Sequence, residues 1–149
     1  MLTLREITDA NRAQLEALRV QPHQWQFINS VADAFVEAAE EPGGRAIQWA
    51  IYADETPVGF VMISDEVDGP EYIAHFLWKL LIDARCQGRG YGKATLDLVA
   101  NYFRARDVDT MWTSAGEGEG SPIPFYERYG FVRSGTAPWG DEVLLRLDL

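Results

Sequence analysis

Apolar residues in this chain recur with a period of two in some stretches and at three-and-four spacing in others, and that alternation predicts its elements. "LTLREI" reads as a strand, and "DANRAQLEALRV" as a short helix capped by Asp9. After Pro22, "QWQFINSVADAFVEAAEEPGG" places Trp25, Ile28, Val31, Ala32, Phe35, Val36 and Ala39 at helical spacing until Pro42-Gly43-Gly44 stops the pattern. One long helix with a buried face is expected there. "RAIQWAIYADETPVGFVMIS" predicts a hairpin turning at "ADETP", and "YIAHFLWKLLID" a long, apolar central strand. Helical spacing returns in "YGKATLDLVANYFRARD" through Leu96, Val99 and Phe103, with Leu98 and Tyr102 beside them. "VDTMWTSA" is strand-like. "SPIPFYERYG" reads as a short helix with Ser121 as cap, Pro122 at the first helical position and Pro124 still in the first turn. The tail "FVRSGTAPWGDEVLLRLDL" gives two strands around "PWGD". Strand, two helices, three strands, helix, strand, helix, two strands is the order of an α/β or α+β domain with helices layered on a sheet.

Length and composition narrow this picture. The 149 residues, 47% of them hydrophobic, suffice for one core and one domain over 1–149, with no room for a second. No stretch approaches the roughly 20 apolar residues of a membrane helix, and "MLTLREITDANR" lacks a signal-peptide profile. A soluble cytoplasmic protein without a membrane partner is expected. The single Cys86 has no partner for an internal disulfide, and His23 and His75 stand far apart, so neither a structural zinc nor a Cys/His nucleophilic pair is expected.

The net charge is -10, unevenly spread. Between Lys79 and Arg106, six basic residues face two acidic ones, a local +4 that leaves -14 on the rest. An acidic body disfavours nucleic acid and favours cationic small molecules, while the basic island suggests one anionic ligand held locally.

That island contains "DARCQGRGYGKATLDL", a glycine loop between a predicted strand and a predicted helix. Backbone N–H groups at a helix N-terminus attract anions, and glycine lets a phosphate approach the chain closely. The flanking arginines add charge-assisted contacts. A Rossmann loop requires G-x-G-x-x-G near the first strand with an acidic residue about 20 positions on, and a Walker A loop ends G-K-[ST]. Neither pattern is present, since Ala94 follows Lys93.

Gln87-Gly88-Arg89-Gly90-Tyr91-Gly92 resembles the phosphate motif Q/R-x-x-G-x-G/A of the GNAT N-acetyltransferase family, and it follows the fourth predicted strand, as in that family. "FYERYGF", Phe125 to Phe131, resembles the family's later L-Y-x-x-x-G-F signature. The resemblance spans nearly the whole chain. It implies a mixed, mostly antiparallel sheet of six to seven strands flanked by about four helices. It also implies that acetyl-CoA is bound by backbone amides from Gln87 through Lys93, with the pantetheine arm alongside Leu81 and Ile82 and the side chain of Arg89 or Lys93 reaching the 3'-phosphate. Tyr126 matches the family tyrosine that serves the departing sulfur; a phenol of ordinary pKa, about 10, is protonated at neutral pH and donates. Tyr91 and Tyr129 read as packing residues.

Two departures stand out. Several relatives carry a glutamate on the central strand near Phe76, and this chain has none there. His75 is adjacent, but strand alternation turns it to the other face unless a bulge intervenes. Asp65, Glu66, Asp68 and Glu71 precede the strand, where they act through water or attract the amine. The second departure is Glu119, where many relatives have a cofactor-contacting Asn. With Glu117 it reads either as an attractor of amines or as a solvated loop.

The stretches "FLWKLLIDARCQGRGYG" and "QPHQWQFINSVADAFVEA" look most like small bacterial acetyltransferases of the spermine/spermidine type, which implies a polyamine-like acceptor and, as in many relatives, a homodimer. Trp25, Trp49, Trp78 and Trp112 offer either core or an aromatic wall for an alkyl amine. Three readings stay open: an acetyltransferase for a small cationic amine; one for a protein N-terminus, a lysine or an aminoglycoside; and a non-catalytic acyl-CoA-binding regulatory domain.

Overall fold

Seven strands form a single sheet in the order β1-β2-β3-β4-β5-β7-β6 in the computed structural model, which describes residues 1–40, 46–65 and 73–149. The strands are β1 (Leu2–Arg5), β2 (Ala46–Ala53), β3 (Thr56–Ser64), β4 (Phe76–Ile82), β5 (Thr110–Ala115), β6 (Val132–Thr136) and β7 (Val143–Asp148). Four α-helices accompany them: α1 (Arg12–Glu16), α2 (Val31–Glu40), α3 (Tyr91–Arg104) and α4 (Ile123–Tyr129). Every strand pairing is antiparallel except β4 with β5. Among the described residues no helix is long and apolar enough to cross a membrane.

Strand alternation divides the core between the two faces of the sheet. On one face Leu96, Val99 and Phe103 of α3 and Ile123 and Tyr126 of α4 pack on Ile51, Ile63, Leu77 and Leu145. On the other, Leu15 of α1 and Val31, Ala34 and Phe35 of α2 cover Ala50, Phe60, Met62 and Leu81. The face predicted for α3 is the one buried.

The predicted long helix after Pro22 is divided. A single 3₁₀ turn (Pro22–Gln24) comes first, and α2 begins only at Val31. Ser30 supplies the reason: its Oγ accepts from the Asp33 N–H at 3.1 Å while an Asp33 carboxylate oxygen accepts from the Ser30 N–H at 3.4 Å, a reciprocal cap that fixes a new start. The segment from Trp25 to Asn29 is thereby released from helical geometry, and Phe27 and Ile28 within it border the site. At α1 the cap is Asn11 rather than Asp9; its side chain accepts from the Thr8 N–H and donates to Glu6 C=O and Tyr52 Oη. The proposed stop at Pro42-Gly43-Gly44 and the candidate Glu71, with Glu66, Asp68 and Tyr72, lie outside the described residues.

Candidate active site

Two features of β4 create the site. The first is a bulge against β3, where Met62 pairs with Lys79 and Ile63 with Leu77, leaving Trp78 as the extra residue. Consecutive residues Trp78 and Lys79 thus face α2: Trp78 packs with that side's core, and Lys79 Nζ reaches Glu37 at 3.2 Å and Asn29 at 3.0 Å. The second is the shortness of the parallel ladder, in which only Phe76 with Trp112 and Leu77 with Thr113 are paired. Beyond that point β4 and β5 separate.

The gap opens into a cleft of about 1390 Å³. One wall is the separated part of β4, another is β5 with α4, and the far end is the glycine loop leading into α3. Gly88 and Gly90 have φ of 80° and 82°, left-handed values natural to glycine, and Gly90 is the N-cap of α3. A Cβ built on either meets nothing within 4 Å, so the chain here borders open space. Gly92 has another purpose: a Cβ there would lie 3.0 Å from the Phe125 ring, so its absence lets α4 pack closely on α3.

Gln87, Gly88, Gly90, Tyr91, Gly92 and Lys93 all line the cleft. Arg89 is exposed outside it, its guanidinium 3.4 Å from Arg85 C=O. Ile82 lines the cleft and Leu81 does not. In an antiparallel ladder both backbone groups of a residue point to the same neighbour. The Leu81 carbonyl lies against Gly59 of β3, so the edge turned to the gap belongs to Leu80 and Ile82. Ile82 C=O is already held by Gln87 Nε2 at 2.9 Å. Gln87 also exchanges amide hydrogen bonds with Gln24 at 2.9 and 3.3 Å, joining the loop to the 3₁₀ turn on the other rim.

The basic island is partly neutralised, two of its six cations having carboxylate partners. Lys79 is paired as above, Arg106 stacks on Tyr102 at 3.6 Å, and Arg85 binds Asp83 at 2.8 Å. Lys93 of α3 and Arg128 of α4 also line the cleft, the latter not foreseen. Burial alone would push the Asp83 carboxyl up, but hydrogen bonds from the Arg19 N–H and from Arg85 hold it below the ordinary carboxylate range. A depressed carboxyl stabilises the fold at pH above its unfolded value, about 3.9, and the contribution disappears as pH falls through the folded value. Asp83→Asn is therefore expected to cost about 2 kcal/mol at neutral pH. The gap in urea-denaturation stability between wild type and variant should close on acidification below about pH 4.

Tyr126 stands where β4 and β5 part, buried on the α3 side with 6% of its surface exposed. Burial pushes its phenol up to about 12, partly offset by the neighbouring Thr113 hydroxyl. Thr113 Oγ1 also has Leu77 C=O within reach, at 2.9 Å. The phenol is protonated at neutral pH and belongs to a residue that lines the cleft.

Among the described residues, the other acidic and aromatic candidates except Trp78 are placed apart from the cleft. His75, at φ 58°, packs its ring on Phe103 and lies 3.3 Å from Asp65. Glu117 pairs with Arg133, which also meets Glu127, and Glu119 is exposed, its carbonyl accepting from Gln26 Nε2. Neither glutamate lines the cleft. Trp25 is 62% exposed, Trp49 packs on Tyr102, and among the four predicted tryptophans Trp78 alone borders the cleft. The carboxylate that does so is Glu142, just before β7, and beside it stands Trp139. Neither carries a signal in the sequence, where "PWGD" reads only as a turn. Among the described residues, no group of three or more His, Cys, Asp or Glu is placed to hold a metal.

The fold is an α/β domain whose cleft opens between two separating parallel strands and ends at a glycine-capped helix. Residues 4–131 match the acetyltransferase (GNAT) family. The chain belongs to that family. It is 27% identical to the spermine/spermidine N(1)-acetyltransferase of Bacillus subtilis strain 168, covering 97% of each chain. Its fold is shared with an acetyltransferase of Thermus thermophilus, at TM-score 0.76 and 19% identity over 100% of this chain and 97% of that one. It is likewise shared with the PaiA N-acetyltransferase of Thermoplasma acidophilum, whose structure is a complex with coenzyme A, at TM-score 0.70 and 15% identity over 100% and 99%.

Proposed function

We propose that this protein transfers an acetyl group from acetyl-CoA to a primary amine of a small, cationic, polyamine-like acceptor, by direct attack within a ternary complex. The observation that carries this reading is the continuous path from the separating β4 and β5 strands to the glycine-capped start of α3, with a buried phenol at its closed end. Backbone amides around Gly88 and Gly90 suit a pyrophosphate. Leu80 and Ile82 offer the pantetheine arm a strand-like edge, and Lys93 and Arg128 suit the remaining phosphate. An ammonium of about pKa 10.4 must lose a proton before it attacks the thioester, and the departing sulfur then receives a hydrogen bond or proton from Tyr126. The polyamine part rests on the Bacillus relative and on the -10 net charge, which concentrates polycations at the surface.

Lys93→Ala and Arg128→Ala are each expected to weaken acetyl-CoA binding about 5- to 10-fold, and to weaken dephospho-CoA binding less, as measured by calorimetry. The function itself is tested by thiol release from acetyl-CoA with spermidine, spermine, aminoglycosides, amino acids and peptides. Turnover restricted to polyamines supports the reading, and turnover restricted to another class replaces the acceptor. Acetyl-CoA binding without turnover would favour the acyl-CoA-binding regulatory domain.

A further inference from the structure

The central strand lacks a carboxylate, yet the cleft has one, supplied by a different element. Thr113 and Ser114 are consecutive on β5 and so point to opposite faces. Thr113 faces Tyr126 and the α3 side; Ser114 faces the other, where its Oγ donates to Glu142 at 2.6 Å. Glu142 is half-buried and lines the cleft, and no ion pair to it exists among the described residues. It is also the one carboxylate among the described lining residues. Beside it, Phe76 and Trp139 meet edge to face at 5.1 Å, and Trp139 remains 46% exposed. A carboxylate held by one hydrogen bond, lacking a cation and flanked by an aromatic pair, matches a primary ammonium on an alkyl stem.

We infer that Glu142, with Phe76 and Trp139, forms the acceptor subsite: its carboxylate holds the ammonium that becomes acetylated and takes the proton that ammonium must lose. The inference rests on the acetyl-transfer reading. The acceptor then stands on one side of the β4/β5 gap and Tyr126 on the other, with the thioester between them. The first ammonium proton passes to Glu142 and on to solvent, and the neutral amine forms the N–C bond. The C–S bond breaks as Tyr126 gives its proton to the sulfur, which leaves as thiol, and the second proton, shed by the acetylated nitrogen, restores the phenol. Ser114 orients the carboxylate.

The test is steady-state kinetics of Glu142→Gln and Trp139→Ala against wild type with the best amine of the panel, together with calorimetry of acetyl-CoA binding. Glu142→Gln is expected to lower kcat/KM for the amine about 10- to 100-fold while acetyl-CoA affinity stays within about twofold. Trp139→Ala, at a half-exposed position where no cavity results, is expected to raise the amine KM about fivefold with kcat nearly unchanged. Glu142→Gln with wild-type kcat/KM would overturn the inference and leave acetyl transfer standing. Equal loss of acetyl-CoA affinity would overturn it too, by making Glu142 a scaffold of the cleft. If Glu142→Gln does not fold, an unchanged KM in Trp139→Ala overturns the subsite. A wild-type protein that binds acetyl-CoA and acetylates no amine would remove the acetyl-transfer reading and this inference together.

Discussion

Tyr126→Phe is expected to reduce kcat about 100-fold, within the range assigned to a positioned acid, while acetyl-CoA affinity changes less than about threefold. Phe has the same ring, so the packing of Tyr126 against Phe131, at 5.4 Å, and Phe125, at 5.3 Å, is retained. What is lost is one buried hydroxyl and its hydrogen bond with Thr113, a structural cost of about 1 kcal/mol. The kinetic loss therefore exceeds what loosening of the fold explains. With its phenol pushed up to about 12 by burial, Tyr126 stays protonated far above neutrality. Wild-type activity should show no alkaline decline from this group between about pH 7 and about pH 10. Rate profiles and calorimetry on both proteins check the two parts separately. Full turnover in the variant would remove Tyr126 from the chemistry.

Gly90→Asp is expected to weaken acetyl-CoA binding at least 100-fold while lowering the melting temperature by only a few degrees. Two observations separate these effects. At φ 82° a side chain is strained, but Asp is among the residues that tolerate the left-handed region best, so the penalty is about 1 kcal/mol. A Cβ at this position also clashes with nothing, so the helix start survives. The carboxylate, however, extends into the space that a pyrophosphate would occupy. Two unit charges at about 4 Å repel by about 4 kcal/mol near a protein surface, and even half of that after screening is a large affinity loss. Calorimetry with acetyl-CoA and a thermal melt decide the matter. Wild-type affinity in a folded Gly90→Asp protein would mean that the phosphates bind elsewhere.

Periodicity made the seven strands and the buried face of α3 legible, because both depend on neighbours along the chain. The break before α2 was less so. Ser30 and Asp33 form a capping pair inside a stretch whose apolar spacing continues unbroken, and local hydrogen bonds overrode the pattern. The glycine loop was legible in its context, since strand, loop and helix are contiguous. The opposite end of the cleft was not legible, for a physical reason. Glu142 reaches Ser114 across 28 residues through a strand pairing that no local signal announces, while Glu117 and Glu119, conspicuous on their glycine-rich loop, lie outside the cleft. Charge counted along the chain was equally misleading. Asp83 cancels Arg85 and Glu37 cancels Lys79, and Arg128, from an unrelated helix, adds a cation to the cleft lining.

The short parallel ladder between β4 and β5 means that this sheet carries an unsatisfied border in its interior as well as at its two flanks. Open borders ordinarily invite a foreign strand and, with it, aggregation. Here Leu80 and Ile82 present theirs at the bottom of a trench, walled by β5, α4 and the glycine loop. A border recessed in this way is not available to the flat edge of a second sheet, so the opening is kept without the exposure that makes an outer edge a hazard.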